Sequence, residues 1–199
     1  VKVKGLIEDV YQKNAEKQMA ELSRKQAELN ALQSQMNPHF MFNTMESIRM
    51  RSLVKGEKET AQMIEKFSAL LRKAIRWDRD FVEVSREAED VKDYLDIQKY
   101  RFGERLTYSV YIQEGCESRK IPKFSILTLV ENACVHGIER RVEGGAVTVV
   151  VSQDEKHMFL EVMDSGGGMS QEELTDLREK IAGATMDHLH QSSRIGILN

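Results

Sequence analysis

Asn37-Pro38 sets the first boundary that any fold of this chain must respect. Proline has no backbone N–H and pushes the residue before it out of helical geometry. Upstream, Leu6 to Gln35 contains no proline, and Ala15, Leu22 and Leu29, extended by Met36, recur every seven residues among mostly polar neighbours. That period describes a weak coiled-coil seam, helped by Met19 and Leu32 and opposed by Gln26 and Gln33. A parallel dimer helix accounts for it better than a solitary surface helix. At Asn37-Pro38 the helix kinks or restarts, and asparagine as N-cap with proline at the first helical position suits a restart.

The restart puts His39 in the first turn of a new segment, with Asn43 one turn further on. At roughly 100° per residue, Met41, Met45 and Ile48 share one stripe while His39, Asn43 and Glu46 fall opposite. A histidine among apolar neighbours is ordinarily structural, but this phase turns His39 outward. An imidazole with the ordinary pKa near 6.5 is substantially neutral at pH 7 and keeps a lone pair for attack. Pro38, one residue upstream, offers a way to couple rotation of the first helix to access to the ring.

Composition narrows the remaining choices. With 199 residues, 41% hydrophobic and 31% charged, the chain has the make-up of a globular protein of one large or two small domains. A net charge of -3 gives no general basic surface, so nucleic-acid partners are set aside. Cys116 and Cys134 lack metal-ligand spacing and read as reduced thiols, and His188 with His190 reads as a solvated loop rather than a metal site. No apolar run approaches the roughly 20 residues that span a bilayer, and no signal peptide is expected in this stretch. Any membrane anchor is expected outside this chain.

Downstream, Lys55-Gly56-Glu57 reads as a turn, followed by a helix reaching about Trp77 whose apolar face is Met63, Phe67, Leu70, Leu71 and Ala74. Two antiparallel helices bury only half of such stripes. Two copies forming a four-helix bundle complete them, so a homodimer is expected. Asp78 to Asp80 forms a short charged connection, and Ser85 is read as the N-cap of a helix carrying Val91, Tyr94, Leu95 and Ile97. A strand is expected at Leu106 to Ile112, a hairpin from Val147 to Val151 and Met158 to Met163, and a helix from about Lys123 to His136 ended by Gly137. Ser170 to Glu173 forms a capping box for a last helix to about Ala182. Sheet plus helices gives a two-layer α+β domain.

Three short motifs carry chemistry there. Thr128, Asn132 and His136 share one helix face, and a carboxamide oxygen there suits a hard cation such as Mg²⁺, although polar helix residues are commonly just solvated. Asp164-Ser165-Gly166-Gly167-Gly168-Met169 places an aspartate at a strand end before three glycines, which serve either an ordinary turn or close approach of a flat ligand or phosphate. Gly196, in Arg194 to Asn199, again leaves room for phosphate oxygens beside backbone N–H groups. The Walker-type loop and the protein-kinase lysine set are both absent, so a nucleotide here needs a different fold.

In order and spacing, Leu32 to Asn43, Tyr94 to Gly103, Ile121-Pro122-Lys123, Glu131 to Gly137, Asp164 to Met169 and Gly196 to Asn199 resemble the LytS/YesM-type sensor histidine kinases over nearly the whole chain. The Ile-Pro-Lys and His-Gly-Ile-Glu flanks lean towards the YesM branch. Ile126-Leu127-Thr128 stands where that family usually has Leu-Gln-Pro, and Met41-Phe42 where Leu-Tyr is common. The resemblance implies a signalling helix over 1–35, a dimerisation and phosphoacceptor hairpin over 36–83, and over 84–199 an ATP-binding two-layer α/β sandwich of the gyrase/Hsp90/histidine-kinase/MutL type. Because the family continues with a further helix and sheet, that domain is expected to be incomplete at its C-terminal end.

The same resemblance makes His39 the phosphorylated residue, gives Asn132 a Mg²⁺ ion bridging the ATP triphosphate, and has Asp164 accept from the adenine amino group. Gly166 and Gly168 shape the base pocket, Gly196 flanks the phosphates, and His136 is a secondary candidate. Glu46 or Asn43 is placed to orient the imidazole, and Asn43 equally to position a water for dephosphorylating a regulator. The implied partner is the receiver domain of a response regulator. The implied setting is the cytoplasmic part of a bacterial membrane protein whose sensor and membrane segments lie upstream. Two other classes remain open: a conformational ATPase in which Glu131 rather than His39 matters, and an inactive dimeric scaffold.

Overall fold

The structure, a computed structural model, describes residues 19–21, 24, 38–75, 80–139 and 141–182. The heptad positions at Ala15, Leu22, Leu29 and Met36, the His188/His190 pair and Gly196 lie outside these residues. Two helices open the described fold, α1 (Pro38–Val54) and α2 (Lys58–Ile75). They are joined at Gly56, whose positive φ of 82° suits the expected turn. Pro38 is the first described residue of α1, and Asn37, where a kink or restart is expected, lies outside the described residues. Thr44 and Ser47 hydroxyls donate back to the carbonyls of Phe40 and Asn43, both at 2.8 Å, within the solvent-facing half of α1.

The remainder is α+β. Its elements are β1 (Phe81–Glu83), α3 (Val84–Phe102), β2 (Leu106–Ile112), β3 (Lys120–Pro122), α4 (Ser125–Asn132), a π turn (Ala133–Ile138), β4 (Gly145–Gln153), β5 (Met158–Asp164) and α5 (Gln171–Ala182). One mixed sheet has the order β2-β4-β5, with β4 parallel to β2 and antiparallel to β5. Parallel neighbours cannot be joined by a tight turn, so the chain between β2 and β4 crosses over through β3, α4 and the π turn. Val147, Val149 and Val151 alternate along β4 and are fully buried against Val91 and Leu95 of α3 and Ile126 and Val130 of α4 within one core.

Three sequence readings are corrected. The first helix of this layer is capped at Glu83, not Ser85; the N–H groups of Val84 and Ser85 donate to the carbonyls of Arg119 and Glu117 at 2.9 and 3.0 Å, so tertiary backbone replaces a side-chain cap. The helix expected from Lys123 starts at Ser125, and Gly137 does not end it: the π turn runs through it to Ile138. A two-stranded antiparallel pair, β1 with β3, was not expected; three residues per strand and Pro122 at an end leave almost no periodic signal.

α2 docks on α3 through polar pairs. Lys66 Nζ donates to Asp93 Oδ1 at 2.8 Å and to Asp96 Oδ2 at 2.5 Å, Lys73 pairs with Asp90, and Thr60 Oγ1 meets the Tyr100 hydroxyl at 2.8 Å. Asp96 also accepts from the Tyr108 hydroxyl.

Candidate active site

A cavity of about 850 Å³ lies where α4, the π turn, β5, the glycine loop and α5 meet. Asn132 and His136 reach its wall from the first two, Asp164 from the end of β5, and Gly168 from the loop. Four separate sequence expectations therefore meet at one place. Gly166 lies behind Asp164, its N–H donating to Asp164 Oδ1 at 2.8 Å. Ser165 fixes the same strand end, its N–H donating to the Ala146 carbonyl at 3.0 Å and its hydroxyl accepting from the Ala146 N–H at 2.8 Å.

The π turn explains how a helix comes this close to the loop. Its wide spacing appears in the Glu139 N–H to Cys134 carbonyl bond of 2.9 Å, five residues apart. A Cβ at Gly137 would stand 2.5 Å from Asp164 Oδ1, and one at Gly166 would stand 2.4 Å from the Gly137 Cα. The two glycines and the aspartate thus form a close-packed triangle with no space for a methyl group. Nearby, burial first, then Asp164 and Glu131, pushes the Cys134 thiol up to about 11, so it stays protonated and is not a nucleophile.

Asn132 Nδ2 is buried and has no hydrogen-bond partner among the described residues. With almost no surface of its own, that nitrogen lies behind the cavity wall that the rest of Asn132 helps to form. Glu161, Asp164, Glu173 and Asp176 line the cavity against a single lysine, Lys180, so a bare polyanion would meet repulsion that a divalent cation offsets. Among the described residues there is no group of three or more His, Cys, Asp or Glu that could hold a metal. A cation here would have to share its coordination with ligand oxygens and water.

His39 is exposed on the first turn of α1, as its helical phase requires. Asn43 Nδ2 lies 3.3 Å from its Nδ1 and 3.4 Å from its Nε2, so the carboxamide braces the ring without selecting one nitrogen. The Glu46 carboxylate takes two bonds from Arg49, at 2.9 and 2.6 Å, and that guanidinium holds its pKa below the usual value. No residue of α1 or α2 lines the cavity. The imidazole and the cavity are separate stations.

Two residues at this site were not singled out from sequence. In the sequence Gly137 reads only as a helix end. Glu87 is 1% exposed and faces the N-terminus of α4; its position between Val84 and Val91 on the buried stripe of α3 is the signal that marks it.

The model of the family described as histidine kinase matches residues 27–106, which include His39 and both hairpin helices. Sensor histidine kinase YesM of Bacillus subtilis (strain 168) is 35% identical over 163 residues, covering 82% of this chain and 28% of YesM. Sensor histidine kinase YpdA of Escherichia coli (strain K12) is 35% identical over 184 residues, 92% of this chain and 30% of YpdA. Sensor protein LytS of Enterococcus faecalis (strain ATCC 700802 / V583) is 32% identical over 174 residues, 83% of this chain and 29% of LytS. The chain therefore spans less than a third of the length of these relatives. No described helix is long and apolar enough to cross a membrane. With most of its length aligned to these proteins, the chain belongs to the LytS/YesM-type sensor histidine kinase family.

Proposed function

We propose that this chain is the kinase portion of a two-component sensor, using ATP to phosphorylate His39 and passing the phosphoryl group to an aspartate of a response-regulator receiver domain. The observation that carries the reading is the convergence of Asn132, His136, Asp164 and Gly168 on one cavity, with an outward histidine on a separate hairpin. The cavity takes the nucleotide, in the manner of the gyrase/Hsp90/histidine-kinase/MutL domains. Asp164, held by the Gly166 N–H, accepts from the adenine amino group. Asn132 presents its carboxamide at the phosphate end and would hold Mg²⁺ there, which supplies charge neutralisation on the triphosphate.

In the transfer itself, a ring nitrogen of His39 forms an N–P bond to the γ-phosphorus as the bond to the ADP oxygen breaks, and the ring proton leaves to solvent. Asn43 holds the imidazole in place. The hairpin must approach the cavity, within one subunit or across a dimer. The resulting N–P bond is reactive enough to pass its phosphoryl group to a carboxylate. We read the chain as the cytoplasmic part of a membrane sensor.

Incubation with γ-labelled ATP and Mg²⁺ tests this. Label should appear on the protein, survive alkali and be lost in acid, and His39→Gln and Asn132→Ala should each abolish it. Free phosphate with no labelled protein would instead identify a conformational ATPase.

A further inference from the structure

We propose that Glu87 is a positioning residue: its buried carboxylate caps the helix that carries Asn132 and so sets the phosphate-and-metal end of the cavity. The proposal rests on the nucleotide reading above and adds a residue that reading does not use.

A helix leaves its first N–H groups without intrahelical partners. α4 has only eight residues, and its N-cap, Phe124, makes no side-chain capping bond; it sits at a φ of 67°, the single positive φ outside glycine among the described residues. The missing acceptors come from another element. Glu87, in the first turn of α3, accepts from the Phe124 N–H at 3.0 Å through Oε2, and from Ile126 and Leu127 at 3.2 and 3.3 Å through Oε1.

The chemistry of that carboxylate argues for purpose. It is 1% exposed, and no lysine or arginine among the described residues pairs with it. A buried carboxylate without a cation is costly, and burial pushes its pKa up against the pull of the three amides. The partial positive charge of the helix N-terminus is the compensation available. Satisfying those amides for stability alone needs only a neutral acceptor, such as the serine or asparagine usual at such a terminus.

From the cap to Asn132 is two helical turns, with Ile126 and Val130 fixed in the core between them. A shift of the N-terminus therefore reaches the Asn132 carboxamide as a rigid displacement. Asp164 hangs on β5, whose register to β4 does not involve Glu87. The two ends of the cavity thus stand on different supports, and Glu87 controls one of them.

Calorimetric titration of Glu87→Ala and Glu87→Gln with MgATP, and with ADP in excess EDTA, separates the two ends. We expect MgATP affinity to fall by about ten-fold or more in Glu87→Ala, as when an outer partner of a metal ligand is removed, with metal-free ADP bound within about two-fold of the wild type. Glu87→Gln, which keeps one carbonyl acceptor and the side-chain volume, should show the same split to a smaller degree, and it carries the test if the alanine variant does not fold. Equal loss of both ligands, or no loss in a folded variant, overturns the positioning role and leaves the nucleotide reading intact. A wild-type chain that binds neither ligand overturns the nucleotide reading and this role with it.

Discussion

At the residue scale, the glycines of the site have different reasons to be glycine, and the structure separates them. Gly137 and Gly166 are barred from a side chain by Asp164 and by each other, with Cβ positions 2.5 and 2.4 Å from their nearest atoms. Gly168 has open space but a φ of 69°, and Gly167 has neither a close neighbour nor a positive φ. Overpacking of this kind costs about 1–3 kcal/mol; at Gly137 it displaces the Asp164 side chain, and at Gly166 it must also push back the Gly137 backbone. Gly137→Ala and Gly166→Ala should therefore lower thermal stability and weaken nucleotide binding about ten-fold, while Gly167→Ala changes neither; a damaging Gly167→Ala, or a silent Gly137→Ala, would refute the assignment. The Asp-Ser-Gly-Gly-Gly string was legible as a site in sequence, but which glycine does what was not. That depends on what lies across from each one, here Gly137, a residue 29 positions before Gly166.

At the element scale, α2 and α3 meet through matched charge. Asp90, Asp93 and Asp96 lie on α3 at intervals of three, and Lys66 and Lys73 lie on α2 two turns apart. The two pairs do not act alike. Burial outweighs Lys73 at Asp90 and holds that carboxyl above its usual pKa, so this pair aligns the helices more than it stabilises them. At Lys66 burial works to lower the pKa, yet Asp93 and Asp96 prevail and the net shift is upward from 10.5. A cation whose folded pKa is raised contributes stability that is complete below its unfolded value and is lost as pH climbs through the folded one. Lys66→Ala should cost about 1–2 kcal/mol of unfolding free energy near pH 8, and the gap to wild type should close as denaturant midpoints are followed above pH 10.5. A gap unchanged with alkali would mean that the loss is packing rather than charge. The two long elements behind this contact were legible because 18 and 19 residues give a clear helical period. Neither the ladder nor the β1–β3 pair was, since charges read singly look like solvated faces and three-residue strands have almost no period.

For the whole molecule, the stripe read from sequence on α2 is present and only partly covered. α1 lies against the α2 face that carries Ser68, whose hydroxyl meets the Met45 sulfur at 3.2 Å, and α3 lies against the face that carries Lys66 and Lys73. Between those two faces run Met63, Phe67, Leu70, Leu71 and Ala74, none of them buried; Phe67 is 47% exposed, and Ala61 is the buried residue of the helix. The sequence disclosed the stripe, but only packing shows that the rest of the described chain covers it in part and leaves Phe67 and Ala74 exposed. A second copy placed across this face would complete the bundle, and in a two-fold dimer each stripe position is buried twice. Finishing the burial of a side chain such as Phe67 contributes about 1 kcal/mol per copy, given its remaining exposure, and a glutamate there would add the desolvation of two like charges facing one axis. Phe67→Glu should therefore raise the dimer dissociation constant by at least about two decades, converting dimer to monomer in light scattering at micromolar concentration, while Glu155→Gln on an exposed loop leaves the mass unchanged. A Phe67→Glu chain with the mass of the wild type would show that the stripe is not the dimer seam.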